Sequence, residues 1–203
     1  MRIIVSWSLI VASLAEAGTL SAMAVENIWA PWRMDYIRQL DPSDLPAAAA
    51  SSQSPSGCFL CDAVARASDP DAAAERFVLH HDARGLLMLN RYPYTNGHLL
   101  AAVDDHIGEL GDLSVEQRAG LMELTAFGER VLRAAVNPQG INIGINLGRC
   151  AGAGLPGHLH VHILPRWSGD TNFMSAIADV RVIPQALEQS YAHLKATCDK
   201  LLS

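Results

Sequence analysis

The sequence predicts an α+β domain: an antiparallel sheet of about five strands, one long helix within the chain and a second at its C-terminus. Three observations carry that expectation. Residues 140–146 and 158–164 alternate polar or small residues with Ile, Leu and Val, the period of a half-buried strand. Ser114 and Gln117 have the spacing of a capping box, ahead of Leu121, Leu124, Val131, Leu132 and Ala135 at helical intervals. The order of segments is three strands, helix, two strands, helix, not the strand–helix alternation that a parallel sheet needs.

Taken in order, the chain opens with Arg2 and an apolar run from Ile3 to Ala15, followed by small residues. Residues 1–22 are read either as a signal peptide, too short to span a membrane comfortably, or as upstream sequence with translation starting at Met23. The second is preferred. Residues 23–57 hold an aromatic segment, from Trp29 to Tyr36, expected to pack on the domain or a second subunit, and then a Pro/Ala/Ser linker from Pro42 to Gly57. The main domain is assigned to residues 58–203.

Within that domain, residues 77–80 and 86–90 read as short strands joined by the turn Asp82-Ala83-Arg84-Gly85. Tyr92 to Gly97 is rich in turn residues and leads into a strand at 98–103. The capped helix ends at Asn137-Pro138-Gln139-Gly140, ahead of the two alternating strands. Pro184 is expected to open the last helix, whose Leu187, Tyr191, Leu194, Cys198 and Leu201 form a stripe suited to core or dimer packing.

A chain of 203 residues, half of them hydrophobic, can bury a substantial core. The formal charge of −6 and the lack of Lys/Arg clusters argue against nucleic acid as a partner. A phosphate-rich ligand would have to be held by local groups against the overall charge.

The strand at 158–164 carries the chemistry. His158, His160 and His162 alternate with Leu159, Val161 and Ile163, so the imidazoles share one face and the aliphatic residues the other. Three surface histidines could produce this pattern, but three on a half-buried strand call for a metal, a phosphate or hydrogen-bond acceptors. Asn142, Gly144 and Asn146 alternate in the same way just upstream, and Gly148, Gly152, Gly154 and Gly157 fill the connection. Glycines let backbone N–H groups approach an anion, so Asn146 and the amides from Gly152 to Gly157 are candidates to cradle phosphates. Cys58-Phe59-Leu60-Cys61 is either a redox dithiol or half of a zinc site, and the preceding linker lacks the strand of a thioredoxin-like unit. Cys150 and Cys198 have no motif partner.

The run His158-Leu159-His160-Val161-His162-Ile163-Leu164 resembles the signature of the histidine triad superfamily of nucleotide hydrolases and transferases. With Pro165-Arg166-Trp167, Gly169-Asp170 and Asn172-Phe173 it most resembles the diadenosine tetraphosphate phosphorylase branch. Trp29-Ala30-Pro31-Trp32-Arg33 and Asn90-Arg91-Tyr92-Pro93-Tyr94 with Gly97-His98 extend the likeness from about Trp29 to Pro184. The resemblance implies His160 as a nucleophile that attacks the α-phosphate and forms a nucleotidyl-histidine. A carbonyl near the strand's start, such as that of His158, would hold the other ring nitrogen. It implies His162 as a donor to a non-bridging oxygen, Asn90 as a contact to ribose and Trp167 near the site. It further implies that His106 and His158 complete a Cys₂His₂ structural zinc site with Cys58 and Cys61.

Hydrolytic members carry Gly-Gln-Ser/Thr in the loop before the first histidine, whereas this chain has Ala153-Gly154-Leu155. The missing hydroxyl favours inorganic phosphate over water as acceptor, so the expected reaction is phosphorolysis of diadenosine tetraphosphate to ADP and ATP. A hydrolase releasing AMP, from dinucleoside polyphosphates or nucleoside phosphoramidates, is the alternative. A zinc-stabilised nucleotide-binding module without turnover is a third reading. A catalytic zinc on all three histidines is a further rival, though alternate residues of one strand commonly give a metal two ligands. A homodimer, a cytoplasmic location (export if residues 1–22 act as a signal) and a mature form with no membrane partner complete the expectations.

Overall fold

Residues 57–170 and 183–203 are described by the computed structural model. The stretch 1–22, the motif at 29–33, the linker up to residue 56 and Asn172-Phe173 lie outside the described residues. Strands β1 (Val78–Asp82), β2 (Gly85–Leu89), β3 (Leu99–Ala102), β4 (Gly140–Ile145) and β5 (His160–Arg166) form one sheet in the order β1-β2-β3-β5-β4. Every pairing is antiparallel, as the alternation and segment order predict. Among the described residues no helix is long and apolar enough to cross a membrane.

Helix α3 (Val115–Val136) starts where expected. Gln117 N–H donates to Ser114 Oγ, and Ser114 N–H donates to Gln117 Oε1, which completes the capping box. The helix ends at Asn137 in the left-handed region, ahead of Pro138. Its buried stripe includes Leu121, Leu124, Val131 and Leu132 and adds Phe127, all packed against Leu87, Leu99, Val161 and Ile163. At Gly128 a Cβ would stand 2.8 Å from Ile163 Cδ1 and 3.0 Å from Leu87 Cδ1, so glycine sets how closely the helix lies on the sheet. The C-terminal helix α4 (Leu187–Leu202) joins this face through Leu194 and Cys198, with the Tyr191 hydroxyl donating to Val78 O. Its stripe is therefore largely core, with Leu201 exposed.

Two short helices, α1 (Phe59–Arg66) and α2 (Pro70–Glu75), cover the other face over β1 and β2, where Leu60, Ala63 and Ala73 meet Val78, Leu86 and Met88. Paired residues in an antiparallel ladder share a face. His162 pairs with Leu100 and Gly144, and His160 with Ala102, so both histidines stand on the α1–α2 side, over the β4–β5 end of the sheet.

The sequence does not anticipate α1 and α2, although Asp69 followed by Pro70 is a helix-start signal, and Asp69 Oδ1 accepts from Asp71 and Ala72 N–H. Several boundaries also move. Phe77 adopts φ 59°, so β1 begins after it and runs on to Asp82, which pairs with Gly85 across a two-residue turn. His98 N–H bonds Thr95 O, and β3 starts one residue later. Leu159 N–H donates to Ile107 O at 2.7 Å, which diverts residues 158–159 from the ladder, and β5 begins at His160. Pro184 precedes α4 instead of opening it, because Gln185 Oε1 takes hydrogen bonds from Ser190 Oγ and Asn96 Nδ2 ahead of the N-cap, Ala186.

Candidate active site

Two clusters meet where β5 begins. The first is Cys58, Cys61, His106 and His158, whose ligating atoms all lie within 4.8 Å of one another. Cys58 is the N-cap of α1 and its Sγ accepts Cys61 N–H, which turns both sulfurs the same way. His158 Nδ1 lies 3.3 Å from Cys58 Sγ and 3.4 Å from Cys61 Sγ, and His106 Nδ1 lies 3.3 Å from Cys61 Sγ. A tetrahedral zinc with ordinary Zn–S and Zn–N bonds sets its ligand atoms about 3.5 Å apart. The His158 Nε2–H donates to Val103 O at 2.8 Å, which leaves Nδ1 with the lone pair aimed at the sulfurs. Burial, with Cys58 adjacent, pushes the Cys61 thiol up to about 11. A cation shared by both sulfurs would reverse that, since coordination deprotonates a thiol. The donor set fits a metal ion. At Gly157 a Cβ would stand 3.0 Å from His106 Nε2, so this glycine makes room for the second histidine.

The second cluster is His160, His162 and a residue the sequence reading did not assign, His98. All three rings are buried. His160 Nδ1 lies 2.8 Å from His158 O, and a carbonyl can only accept, so Nδ1 carries the proton. A neutral His160 therefore has an unprotonated Nε2. The chain of bonds behind His162 fixes the opposite arrangement. Tyr94 N–H donates to His98 Nδ1 at 3.1 Å, so the His98 proton is on Nε2, and it donates to His162 Nδ1 at 2.9 Å. His162 must then carry its proton on Nε2. Its ring lies 4.9 Å from that of His160, centroid to centroid. A lone pair on one imidazole thus stands beside an N–H on the next.

Burial favours the neutral rings. It lowers the pKa of His160, against a smaller opposing effect of the His158 carbonyl. Burial, and then the neighbouring His160, push His162 down to about 4. Among the described residues no carboxylate bonds His158, His160 or His162, so the pattern suits a nucleophile and a hydrogen-bond donor, not carboxylate acid–base catalysis.

The other predicted contacts are distributed unevenly. Asn146 Nδ2 donates to Gly152 O at 3.5 Å and stands 3.5 Å from His162 Nε2, where two donors meet without a hydrogen bond, so the loop lies next to the site and the His162 N–H is not taken up by Asn146. Gly148 (φ 76°) and Gly152 (φ 90°) hold a tight turn, Arg149–Ala151, in which Gly152 N–H donates to Arg149 O and Ala153 N–H to Gly148 O. Those two amides serve the loop itself, whereas the amides of Gly154 and Gly157 make no hydrogen bond among the described residues. Asn90 directs Nδ2 to His98 Nδ1 at 3.2 Å and accepts Tyr92 N–H on Oδ1, so its side chain braces the 90–98 turn. Trp167 follows the far end of β5, where its N–H bonds Asp170 Oδ2, and nothing among the described residues ties it to the histidines. Tyr94, also unassigned from sequence, stacks on His162 at 5.8 Å and 19°. The Gly97-His98 pair after the turn was the available signal for His98, since a histidine opening a buried strand needs a partner.

The profile of the HIT domain family matches residues 72–169. An AP-4-A phosphorylase of Mycobacterium tuberculosis is 36% identical over 169 residues, which cover 82% of this chain and 80% of that protein. Among solved structures, a Zn-bound histidine triad family protein from Mycobacterium smegmatis aligns with a TM-score of 0.56 and 28% identity, over 71% of this chain and 94% of that one. The Plasmodium falciparum diadenosine triphosphate hydrolase is alike in fold, with a TM-score of 0.52 and 22% identity over 64% of this chain and 80% of that one.

Proposed function

Because the chain belongs to the histidine triad (HIT) family, we propose that it transfers a nucleotidyl group from dinucleoside polyphosphates through a nucleotidyl-His160 intermediate, and that its reaction is phosphorolysis of diadenosine tetraphosphate. The observation that carries the reading is the fixed pair of complementary nitrogens, the unprotonated Nε2 of His160 and the protonated Nε2 of His162. His160 Nε2 attacks the α-phosphorus. The bond from that phosphorus to the oxygen bridging to the next phosphate breaks, and the leaving group carries its electron pair away as ATP. The imidazolium so formed keeps its Nδ1–H on the His158 carbonyl. His162 Nε2–H donates to a non-bridging oxygen as charge builds there, and the amides of Gly154 and Gly157 face the same charge. Inorganic phosphate then attacks phosphorus, the P–N bond breaks, its electron pair returns to His160 Nε2, and ADP leaves.

Phosphate as acceptor is supported by the 36% identity to the mycobacterial AP-4-A phosphorylase. It is supported also by the loop, where buried Ala153 and exposed Gly154 stand in the segment that carries a hydroxyl in hydrolytic relatives. Cys58, Cys61, His106 and His158 would hold a structural zinc, which when bound would crosslink α1 to the start of β5. Residues 58–203 are taken as the catalytic domain. The edge position of β4, with Ile143 and Leu147 exposed, supports a homodimer, and four free cysteines suit a cytoplasmic enzyme.

Product analysis from diadenosine tetraphosphate, with and without inorganic phosphate, tests the reading. ADP plus ATP, dependent on phosphate, is the expected result. AMP plus ATP in either condition identifies water as acceptor. His160→Ala should lower turnover by several orders of magnitude with the fold and metal content retained. A well-folded His160→Ala protein with near-normal turnover would exclude the nucleotidyl-histidine.

A further inference from the structure

We propose that Arg149 grips the phosphates of the leaving group and so makes the enzyme selective for substrates whose departing portion is a polyphosphate, an inference that rests on the nucleotidyl-transfer reading above. The chain carries a net charge of −6, and a polyphosphate with several negative charges must find its counter-charge locally. Almost every described cation is already committed. Asp62, Asp82, Glu129, Asp170 and Asp199 each hold an arginine or lysine. Arg91 and Arg118 donate to backbone carbonyls, and Arg130 lies over the Phe127 ring. Among the described residues only Arg149 and Lys200 have cationic side chains with no ion pair, hydrogen bond or ring contact. Lys200 lies in the last turn of α4, a helix packed on the opposite side of the sheet from the histidines.

Arg149 is placed differently. It sits in the glycine turn between β4 and β5, exposed, and its backbone is locked by the Gly152 N–H bond to its carbonyl and the adjoining bond from Ala153 N–H to Gly148 O. Asn146 places that turn next to His162, its Nδ2 donating to Gly152 O and standing 3.5 Å from His162 Nε2. The positive φ of Gly148 and Gly152 fixes the turn, so the three residues between them, Arg149 first, are held exposed on a turn that Asn146 places next to His162. The turn spends the Gly152 and Ala153 amides on its own bonds, which leaves fewer backbone donors than the glycine count suggests. A guanidinium supplies what is missing: a fork of donors with a fixed positive charge, matched to phosphate oxygens. The nucleophile needs no cation at the α-phosphate, where His162 and the remaining loop amides donate. Arg149 therefore acts beyond that position, on the phosphates that leave.

The test uses the full chain and its Arg149→Ala and Arg149→Lys variants. Three substrates share one adenylyl group but differ in what departs: diadenosine tetraphosphate, diadenosine triphosphate and adenosine 5′-phosphoramidate. The ratio of kcat/KM for the tetraphosphate to that for the phosphoramidate should fall about tenfold in Arg149→Ala, with a smaller fall for the triphosphate and partial recovery in Arg149→Lys. Inhibition by inorganic tripolyphosphate should weaken by a similar factor. Thermal midpoints should coincide, because the side chain is exposed and makes no ion pair, hydrogen bond or ring contact among the described residues. An equal loss on all three substrates, or none, overturns the assignment. If the unaltered protein turns over none of them, the functional reading fails separately. Direct binding of tripolyphosphate then decides the question of Arg149: equal affinity of the unaltered and Arg149→Ala proteins rejects it, and weaker binding by the variant upholds it.

Discussion

Replacing His98 should disable the site without touching the nucleophile. The ring is fully buried, accepts Tyr94 N–H on Nδ1 and donates from Nε2 to His162 Nδ1 at 2.9 Å. His98→Ala leaves the Tyr94 amide without its acceptor and removes a buried side chain, which together should destabilise the domain by about 2–4 kcal/mol. Its functional cost comes through His162. One hydrogen bond to Nδ1 is worth about 1 kcal/mol, enough to hold the proton on Nε2 by a factor of roughly five to ten over the other tautomer. Without that bond the ring also loses its fixed orientation, so kcat/KM should fall by about 10–100-fold. His98→Gln, which can place an amide N–H near the original Nε2–H, should recover part of the loss. Steady-state kinetics on diadenosine tetraphosphate give the rate, and ¹⁵N shifts of the His162 ring in histidine-labelled protein report the tautomer. A folded His98→Ala protein that keeps the Nε2–H form of His162 and works within threefold of the unaltered enzyme would refute the reasoning.

Two further predictions follow from the same geometry. Folded His162 stays neutral down to about pH 4, while an unfolded histidine takes up a proton near pH 6.5, so acid favours the unfolded chain. The His162 share of this loss should be about 3 kcal/mol as pH falls from 6.5 to 4, with little change above pH 7, and in denaturant titrations the stability difference between the unaltered protein and His162→Gln should vary with pH only in that window. For the metal site, elemental analysis should find one zinc per chain. Cys58→Ser or chelation should remove it and lower the thermal midpoint by on the order of 10 °C, and an unchanged midpoint on full metal loss would count against a structural role.

What could be read from the sequence and what could not divide along a physical line. Period-2 alternation and the capping box depend on neighbours a few residues apart, so β4, β5 and α3 emerge within a residue or two of their expected ends. The four metal-cluster residues come together as the resemblance implied, although Cys58 and His158 are a hundred residues apart in the chain. Roles that depend on which hydrogen bonds a group has already made are not written in spacing. Asn90 has the right neighbourhood for a ribose, yet its amide is bonded to His98 and Tyr92. Gly152 looks like a phosphate amide, yet that amide closes its own turn. Trp167 belongs to the same motif as the histidines, yet β5 carries it away from them.

The division of labour among the three alternating histidines follows from the atom each one meets with its other ring nitrogen. His158 gives Nε2–H to Val103 O, which turns a lone pair on Nδ1 toward two sulfurs. His160 gives Nδ1–H to the His158 carbonyl, which turns a lone pair on Nε2 into the site. His162 accepts at Nδ1 from His98, which turns an N–H on Nε2 into the site. In the proposed mechanism five consecutive residues, 158–162, would thus supply a metal ligand, a nucleophile and a donor from a single residue type, with the three roles set by two carbonyls and a fourth imidazole. The His158 carbonyl also couples the clusters, because the residue that closes the cysteine site orients the His160 ring, the proposed nucleophile. A substitution at Cys58 or His106 should therefore reach the chemistry through the backbone at residue 158, not through any contact with substrate.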